Sequence, residues 1–418
     1  GGISMNIRGE LRVPGDKSIS HRAFMLGSLA RGSTTVSGAL GSKDVASTRR
    51  VLEALGARIE EKGGTWLVTG GDLREPSTVL DAGNSGTTAR LVSGICAAIE
   101  GVSVMTGDSS LVTRPMGRVM RPLGKMGAQF LARQDRHLPM AVRGGRLTGI
   151  SYGMDVASAQ VKSAIILAGL KAEGSTEVTE PFPSRDHSER MLSYFGATLA
   201  RGGNSVGLEG PQELEAREVS VPGDPSSAAF PAVWAAATPG SEALIREVCL
   251  NPTRIGFIPV LKRMGAVITL ENVREVCGEP VGDILVRGAV LQGTIIEGEE
   301  IPKLIDEIPI LAVAACLAEG RTVVRDASEL RVKETDRIKA LVEGLASLGA
   351  GAEETPDGLV IEGPLKLERG SVRTYSDHRI AMSFHILSRA AGIDVAIDDP
   401  GCVDISFPGF FELMETLA

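Results

Sequence analysis

The sequence predicts an α/β protein of two globular domains built from one unit repeated six times, and three observations lead there. Polar-started apolar helices that end near a glycine begin at Asp16, Asn84, Ser158, Asp224, Asp306 and Asp377, at separations of 68, 74, 66, 82 and 71 residues. Between them runs a second helix that ends in a large apolar residue followed by Gly-Ala, in the copies LEALGA (Gly56), LGKMGA (Gly127), LSYFGA (Gly196), LKRMGA (Gly265) and LASLGA (Gly349). Strand-like segments follow, such as Arg58-Ile59 and Ala266-Val267-Ile268-Thr269. A solenoid repeat is typically about 20–50 residues, shorter than this period, so two domains of three units are expected.

The first unit opens with Asp16-Lys17-Ser18-Ile19-Ser20-His21-Arg22 ahead of an apolar run. Asp16 or Ser18 suits the helix cap, and Gly32 suits a left-handed C-terminal cap. Lys17 and Arg22 lie where a helix start already offers free N–H groups and partial positive charge, a combination that binds anions. In the second unit Gly83-Asn84-Ser85-Gly86-Thr87-Thr88 is a glycine-rich helix entry of the same kind. The second helices carry an arginine near their starts, at Arg114, Arg185, Arg254 and Arg337, and Pro115 fits a first-turn position. Together with Arg379, so many cations at helix starts need a compensating anion, which points to a ligand rich in phosphate or carboxylate. The glycine of each Gly-Ala pair is expected as a C-cap; the sixth copy, FFELMETLA, stops where its glycine would fall.

Acid–base candidates come next. Asp306 opens a very apolar helix, where partial burial raises a carboxyl pKa, although a helix cap explains it equally. Lys333-Glu334-Thr335-Asp336-Arg337 sets a base, an acid and a phosphate-binding cation within five residues. No serine or cysteine nucleophile is matched to a histidine.

Composition excludes several classes. Across 418 residues, 43% are apolar, 23% charged and 4% aromatic, with a net charge of −8. That balance argues against nucleic-acid or membrane-surface binding, so an anion site must be a local basic pocket. The five cysteines form no CxxC pair and read as reduced and structural, which with the lack of a signal peptide suggests a cytoplasmic protein. Ile308–Ala318, the longest apolar run, is shorter than the ~20 residues that span a bilayer. Gly1–Ser4, ahead of Met5, read as a non-native leader. No Walker A loop, Rossmann GxGxxG or HExxH is present, and the five histidines show no metal spacing, so no metal and no cofactor are expected. His385 sits mid-helix as a packed or surface residue.

Pro14–Arg22, Gly83–Thr87, Arg114-Pro115-Met116, Ser158–Ser163, Arg331–Arg337 and Asp377-His378-Arg379 resemble, in order along the whole chain, the motifs of the 5-enolpyruvylshikimate-3-phosphate synthase family. The resemblance implies an inverse α/β barrel in two domains, each of three βαβαββ units, with the active site in the cleft between them. The N-terminal strand would join the C-terminal half, giving residues 1–14 plus 227–418 as one domain and 15–226 as the other. It implies transfer of the enolpyruvyl group of phosphoenolpyruvate to the 5-hydroxyl of shikimate 3-phosphate, with release of phosphate, by a monomer that needs no partner beyond its two substrates. Carried over by motif, Lys17, Asn84, Gly86, Arg114, Gln160, Arg337 and Arg379 would hold phosphoenolpyruvate. Lys17, Ser18, Arg22, Ser158, Ala159, Gln160, Arg185, Asp306 and Lys333 would hold shikimate 3-phosphate. Asp306 would take the 5-hydroxyl proton, and Glu334, helped by Lys333, would handle the proton at the enol methylene.

Ser158-Ala159-Gln160, Arg185-Asp186-His187 and Arg114–Arg118 look like the subgroup that includes glyphosate-tolerant bacterial enzymes. Tolerance there goes with alanine at the position of Gly86, so strong tolerance is not expected here. Many members carry a lysine shortly before the C-terminal Phe-Pro; Asp404-Ile405-Ser406-Phe407-Pro408 has none. The related transferase acting on UDP-N-acetylglucosamine uses a cysteine before its Arg-Pro motif, and Asp108–Thr113 lacks one. A non-catalytic anion-binding repeat protein would use the same basic helix starts but leave Asp306, Lys333 and Glu334 without a role.

Overall fold

The computed structural model describes residues 6–417; Gly1–Met5, with the leader read above, and Ala418 lie outside the described residues. The chain divides into two units. The N-proximal unit is Gly15–Val221 with Val276–Glu279; the C-proximal unit takes the segment up to Pro14, Pro222–Glu275 and Pro280 onward. The division falls at 221/222, earlier than residues 226/227, because Asp224 already caps the first helix of the C-proximal unit.

The chain starts with β1 (Arg8–Arg12). The N-proximal unit then runs α1 (Lys17–Leu29), β2 (Ala30–Arg31), β3 (Ser33–Ser37), α2 (Lys43–Ala54), β4 (Arg58–Lys62), β5 (Thr65–Thr69), β6 (Leu80–Asp81), α3 (Gly86–Ala97), β7 (Gly101–Thr106), α4 (Gly117–Lys125), β8 (Gln129–Arg133), β9 (His137–Gly144), β10 (Ser151–Gly153), α5 (Ala159–Gly169), β11 (Gly174–Thr179), α6 (His187–Tyr194), β12 (Ala200–Gly202), β13 (Ser205–Gly210), β14 (Leu214–Glu215) and β15 (Glu218–Ser220). The C-proximal unit continues with α7 (Pro225–Ala237), β16 (Glu242–Cys249), α8 (Phe257–Arg263), β17 (Val267–Val276), β18 (Glu279–Arg287), β19 (Ile295–Ile296), α9 (Ile301–Leu304), α10 (Ile308–Leu317), β20 (Gly320–Val324), α11 (Arg337–Ser347), β21 (Glu353–Thr355), β22 (Gly358–Gly363), β23 (Gly370–Val372), α12 (His378–Ala391), β24 (Val395–Ile397) and α13 (Phe410–Glu415).

One sheet topology recurs five times: β15-β3-β5-β4, β6-β7-β9-β8, β10-β11-β13-β12, β1-β16-β18-β17 and β19-β20-β22-β21. Its first pair is parallel and the next antiparallel, as in β6 with β7 and β7 with β9. Three of the sets are single β-α-β-α-β-β runs, each with its opening strand just ahead of an apolar helix. The sixth run shows only the parallel pair of β23 with β24 among the described residues. Two opening strands are exchanged. β1 precedes α1 yet pairs with β16 (Leu11 opposite Ile245), while β15 precedes α7 yet pairs with β3 (Val219 opposite Val36).

The apolar helices form the interior of each unit. Every residue of α5 from Val161 to Gly169 is buried, as is every residue of α7 from Pro225 to Ala236. A helix apolar on all sides belongs inside a core. α3 lies against α5 so closely that a Cβ on Gly94 would stand 2.1 Å from Ala164 O. In the C-proximal unit α7, α10 and α12 pack on one another. No helix among the described residues is long and apolar enough to cross a membrane.

The Gly-Ala signature has a single geometry. Gly56 N donates to Glu53 O at 2.9 Å and Ala57 N to Leu52 O at 3.0 Å, the paired bonds of a Schellman cap. The same pair recurs at Gly127, Gly196, Gly265 and Gly349, all with positive φ. Some helix starts differ from expectation. Ser85, not Asn84, caps α3, with its Oγ accepting Thr88 N at 3.1 Å. Pro115 precedes Met116, the residue ahead of α4. α1 ends into extended Ala30, and Gly32 turns the chain only after β2. Asp306 lies in a 3-10 turn, Ile305–Glu307, ahead of α10.

Candidate active site

In the N-proximal unit the starts of α1, α3 and α5 are tied by side chains. Asp16 caps α1, its Oδ1 accepting Ile19 N at 2.8 Å. Lys17 Nζ lies 3.2 Å from Asp44 Oδ2. One turn on, Arg22 is 5% exposed. Its Nε donates to Ser188 Oγ at 2.7 Å, one terminal nitrogen to Ser163 Oγ at 3.1 Å and the other to Ser18 O at 3.0 Å. All three acceptors are uncharged. Burial pulls the Arg22 pKa down to about 10, against the attraction of Glu189, Asp16 and Glu279; the charge of Arg185 also lowers it. Burial, with Lys17 and Arg22 nearby, holds His21 well below the usual imidazole range, so at neutral pH it is an uncharged strut bonded through Nδ1 to Thr48 Oγ1 at 2.7 Å. Thr48 Oγ1 meets Thr88 Oγ1 of α3 at 2.6 Å.

A second group forms around α3. Gln160 Nε2 donates to Thr87 Oγ1 at 3.1 Å, and its Oε1 accepts Arg90 at 2.7 Å. Arg114 donates to Asn84 Oδ1 at 2.9 Å and Ser110 Oγ at 3.2 Å. Gly86 sits among these groups; a Cβ there would lie 2.9 Å from one terminal nitrogen of Arg90 and 3.7 Å from one of Arg114. Burial, then the charges of Arg114 and Arg118, lower the Arg90 pKa to about 10. Ser158 caps α5 and Ala159 is its first residue. Sequence reasoning missed Arg90, although it is the only charged residue in α3 and falls one turn after Gly86. The arginines Arg22, Arg90 and Arg114 thus direct these bonds to hydroxyl, amide and carbonyl acceptors. In a chain of net charge −8 they are a local concentration of positive charge, whose N–H groups are suited to carboxylate or phosphate oxygens.

The C-proximal unit presents carboxylates instead. Asp306 Oδ1 lies 3.3 Å from both Lys333 Nζ and an Arg337 terminal nitrogen. Glu334 Oε2 takes Arg337 at 2.6 Å and Asp377 Oδ2 takes its Nε at 2.8 Å. Arg337 is 1% exposed. Burial alone would lower its pKa; Asp377, Glu334 and Asp306 outweigh burial and raise it above the ordinary arginine value. Asp377 also caps α12 through Arg379 N at 2.9 Å, and the Arg379 guanidinium stands 4.0 Å from Glu307 Oε1. Arg254 is 2% exposed and bonds Asp224 at 2.9 Å, tying the α8 entry to the α7 cap. One unit therefore gathers anion-seeking arginines, and the other gathers carboxylates able to accept protons beside Lys333.

The family profile described as EPSP synthase (3-phosphoshikimate 1-carboxyvinyltransferase) matches residues 3–414. The chain belongs to the EPSP synthase family. It is 53% identical over 416 residues to the 3-phosphoshikimate 1-carboxyvinyltransferase of Desulforudis audaxviator, covering 98% of this chain and 97% of the relative. It is 52% identical to that of Geobacter metallireducens, over 99% and 97% of the two chains. The EPSP synthase structure from Acinetobacter baumannii superposes with a TM-score of 0.90 at 43% identity, covering 99% of this chain and 96% of that one. The enolpyruvyl transferase NikO from Streptomyces tendae shares the fold, with a TM-score of 0.77 at 15% identity over 100% and 96% of the chains. The family resemblance and the inverse α/β fold of six repeats are thereby borne out.

Proposed function

We propose that the chain performs its family's reaction with the two side-chain groups described above. The reaction is transfer of the enolpyruvyl group of phosphoenolpyruvate to the 5-hydroxyl of shikimate 3-phosphate, with release of phosphate, in aromatic amino-acid biosynthesis. The observation that carries the assignment of roles is Arg22: a buried cation cradled by Ser163, Ser188 and Ser18 with no charged acceptor. It fits the phosphate of shikimate 3-phosphate, with Lys17, Ser18, Ser158, Ala159, Gln160 and Arg185 around the same ligand. Lys17, Asn84, Gly86, Arg114, Gln160, Arg337 and Arg379 hold phosphoenolpyruvate. Bringing two polyanions together costs repulsion, which several fixed cations offset.

Asp306, with Lys333, receives the 5-hydroxyl and takes its proton as oxygen attacks the enolpyruvyl carbon. Glu334 delivers a proton to the methylene and recovers it when phosphate leaves. Positive charge developing at that carbon is stabilised by the flanking carboxylates. A cytoplasmic monomer working without metal or cofactor completes the reading.

The test is phosphate release from phosphoenolpyruvate, with shikimate 3-phosphate or UDP-N-acetylglucosamine as acceptor and no metal or nucleotide added. Release with shikimate 3-phosphate alone is expected. Asp306→Ala should lower kcat by about 10²–10⁴-fold, the usual worth of general-base catalysis, with shikimate 3-phosphate still bound. Unchanged turnover in that variant would remove Asp306 from the chemistry.

A further inference from the structure

We propose that Glu180 is a positioning residue whose single buried carboxylate holds two substrate segments, the α5 start at Ser158–Gln160 and the loop at Ser184–Arg185, in fixed relation. The inference rests on the assignment of those segments to shikimate 3-phosphate.

Glu180 follows β11 and is 4% exposed. Its Oε1 accepts Ser158 N at 3.3 Å, the N–H of the residue that caps α5. Its Oε2 accepts Ser184 N at 3.1 Å, from the residue just before Arg185, and Lys162 Nζ at 2.7 Å. Three donors converge on two oxygens. A carboxylate, which only accepts, satisfies all three; an amide would set its NH2 against at least one of them. Glu180 therefore has a chemical requirement that shape alone does not explain.

Lys162 extends the device. It is the only ionisable residue in α5 and is 3% exposed. Its ammonium also meets Glu189 Oε1 at 2.7 Å, and Glu189 follows Ser188, the hydroxyl that accepts Arg22 Nε. One buried chain of charges thus runs from the clamp to the arginine cradle. In the low-dielectric interior each of these charged bonds is stronger than it would be in water. Glu180 moves no proton in the reaction; it acts through the two segments.

The experiment is steady-state kinetics and melting of Glu180→Gln, with Ser158→Ala as the segment control. The KM for shikimate 3-phosphate should rise about ten-fold, the worth of one charged hydrogen bond, with the KM for phosphoenolpyruvate within about two-fold and a smaller change in kcat. If the amide variant does not fold, Glu180→Asp is read the same way, since it keeps the charge beside Lys162 and withdraws the oxygens by one methylene. A merely structural role would lower the melting temperature and leave both KM values unchanged, which overturns the proposal. If Ser158→Ala raises the shikimate 3-phosphate KM and Glu180→Gln does not, the clamp falls alone. If neither variant moves it, the segment assignment falls and the clamp falls with it.

Discussion

Arg337 Nε lies 2.8 Å from Asp377 Oδ2, with both side chains buried, at 1% and 0% exposure. Asp377 thereby performs two tasks, capping α12 and neutralising a cation inside the C-proximal unit. Removing Asp377 leaves Arg337 paired with Glu334 and Asp306 but strips the partner of its Nε and the cap of α12. Asp377→Ala should cost about 2–3 kcal/mol of stability, and Asp377→Asn, which keeps the capping oxygen, should recover about 1 kcal/mol of that. Urea denaturation of the variants checks both figures; a loss under about 1 kcal/mol for the alanine variant would contradict the pairing.

Arg22 is the opposite case, a buried cation without a charged acceptor among its three hydrogen bonds. In the proposed function its burial serves binding, not folding. Arg22→Met should leave the melting temperature nearly unchanged, because Ser163 and Ser188 already bond each other at 2.6 Å and keep that bond. Affinity for shikimate 3-phosphate should fall about 100-fold, as expected when charge-assisted bonds to a phosphate are lost. Titration calorimetry gives the answer, and wild-type affinity would remove Arg22 from the phosphate site.

At Gly86 the prediction is steric. A Cβ would stand 2.9 Å from the far end of Arg90, a flexible tip that moves more cheaply than backbone. Gly86→Ala should fold normally, displace Arg90 from Gln160, and raise the KM for phosphoenolpyruvate about ten-fold, the worth of one charged hydrogen bond. The KM for shikimate 3-phosphate should stay within about two-fold. Equal changes in both constants would mean that Gly86 does not face phosphoenolpyruvate alone.

The pH dependence centres on His385, packed edge-on against Phe410 and Phe411. Burial, with Arg389 nearby, pushes its pKa from 6.5 to about 4. The unfolded chain therefore binds the proton first. The contribution of His385 is complete above pH 6.5 and disappears as the pH falls towards 4, a loss of about 3 kcal/mol. His385→Phe should remove this part of the slope across that window and leave the part supplied by buried His21. A wild-type profile already flat between pH 6.5 and 4 would refute the neutral buried ring.

Read from residues alone, the sequence determined the repeat and the fold class. Local rules sufficed there. Gly-Ala after a large apolar residue demands a left-handed cap, and that cap forms five times. An all-apolar helix such as Ile308–Leu317 has to be interior. Lys17, Arg22, Gly86, Arg114 and Asp306 stood out as candidates because charge or glycine at a helix entry is costly without a purpose.

Tertiary structure decided partnership, since a spacing along the chain does not state which distant atoms meet. Arg22 and Arg254 look alike in sequence, each near a helix start, yet Arg22 meets hydroxyls and a carbonyl while Arg254 is consumed by Asp224. Arg90 and Lys162 were visible as single charges in apolar helices, but their meaning came from Gln160, 70 residues away from Arg90, and from Glu180 and Glu189 across two loops. The exchange of β1 and β15 likewise follows from strand pairing over long separations. Hydrogen bonds and ion pairs act over a few ångströms, and only the folded chain brings those residues within that range.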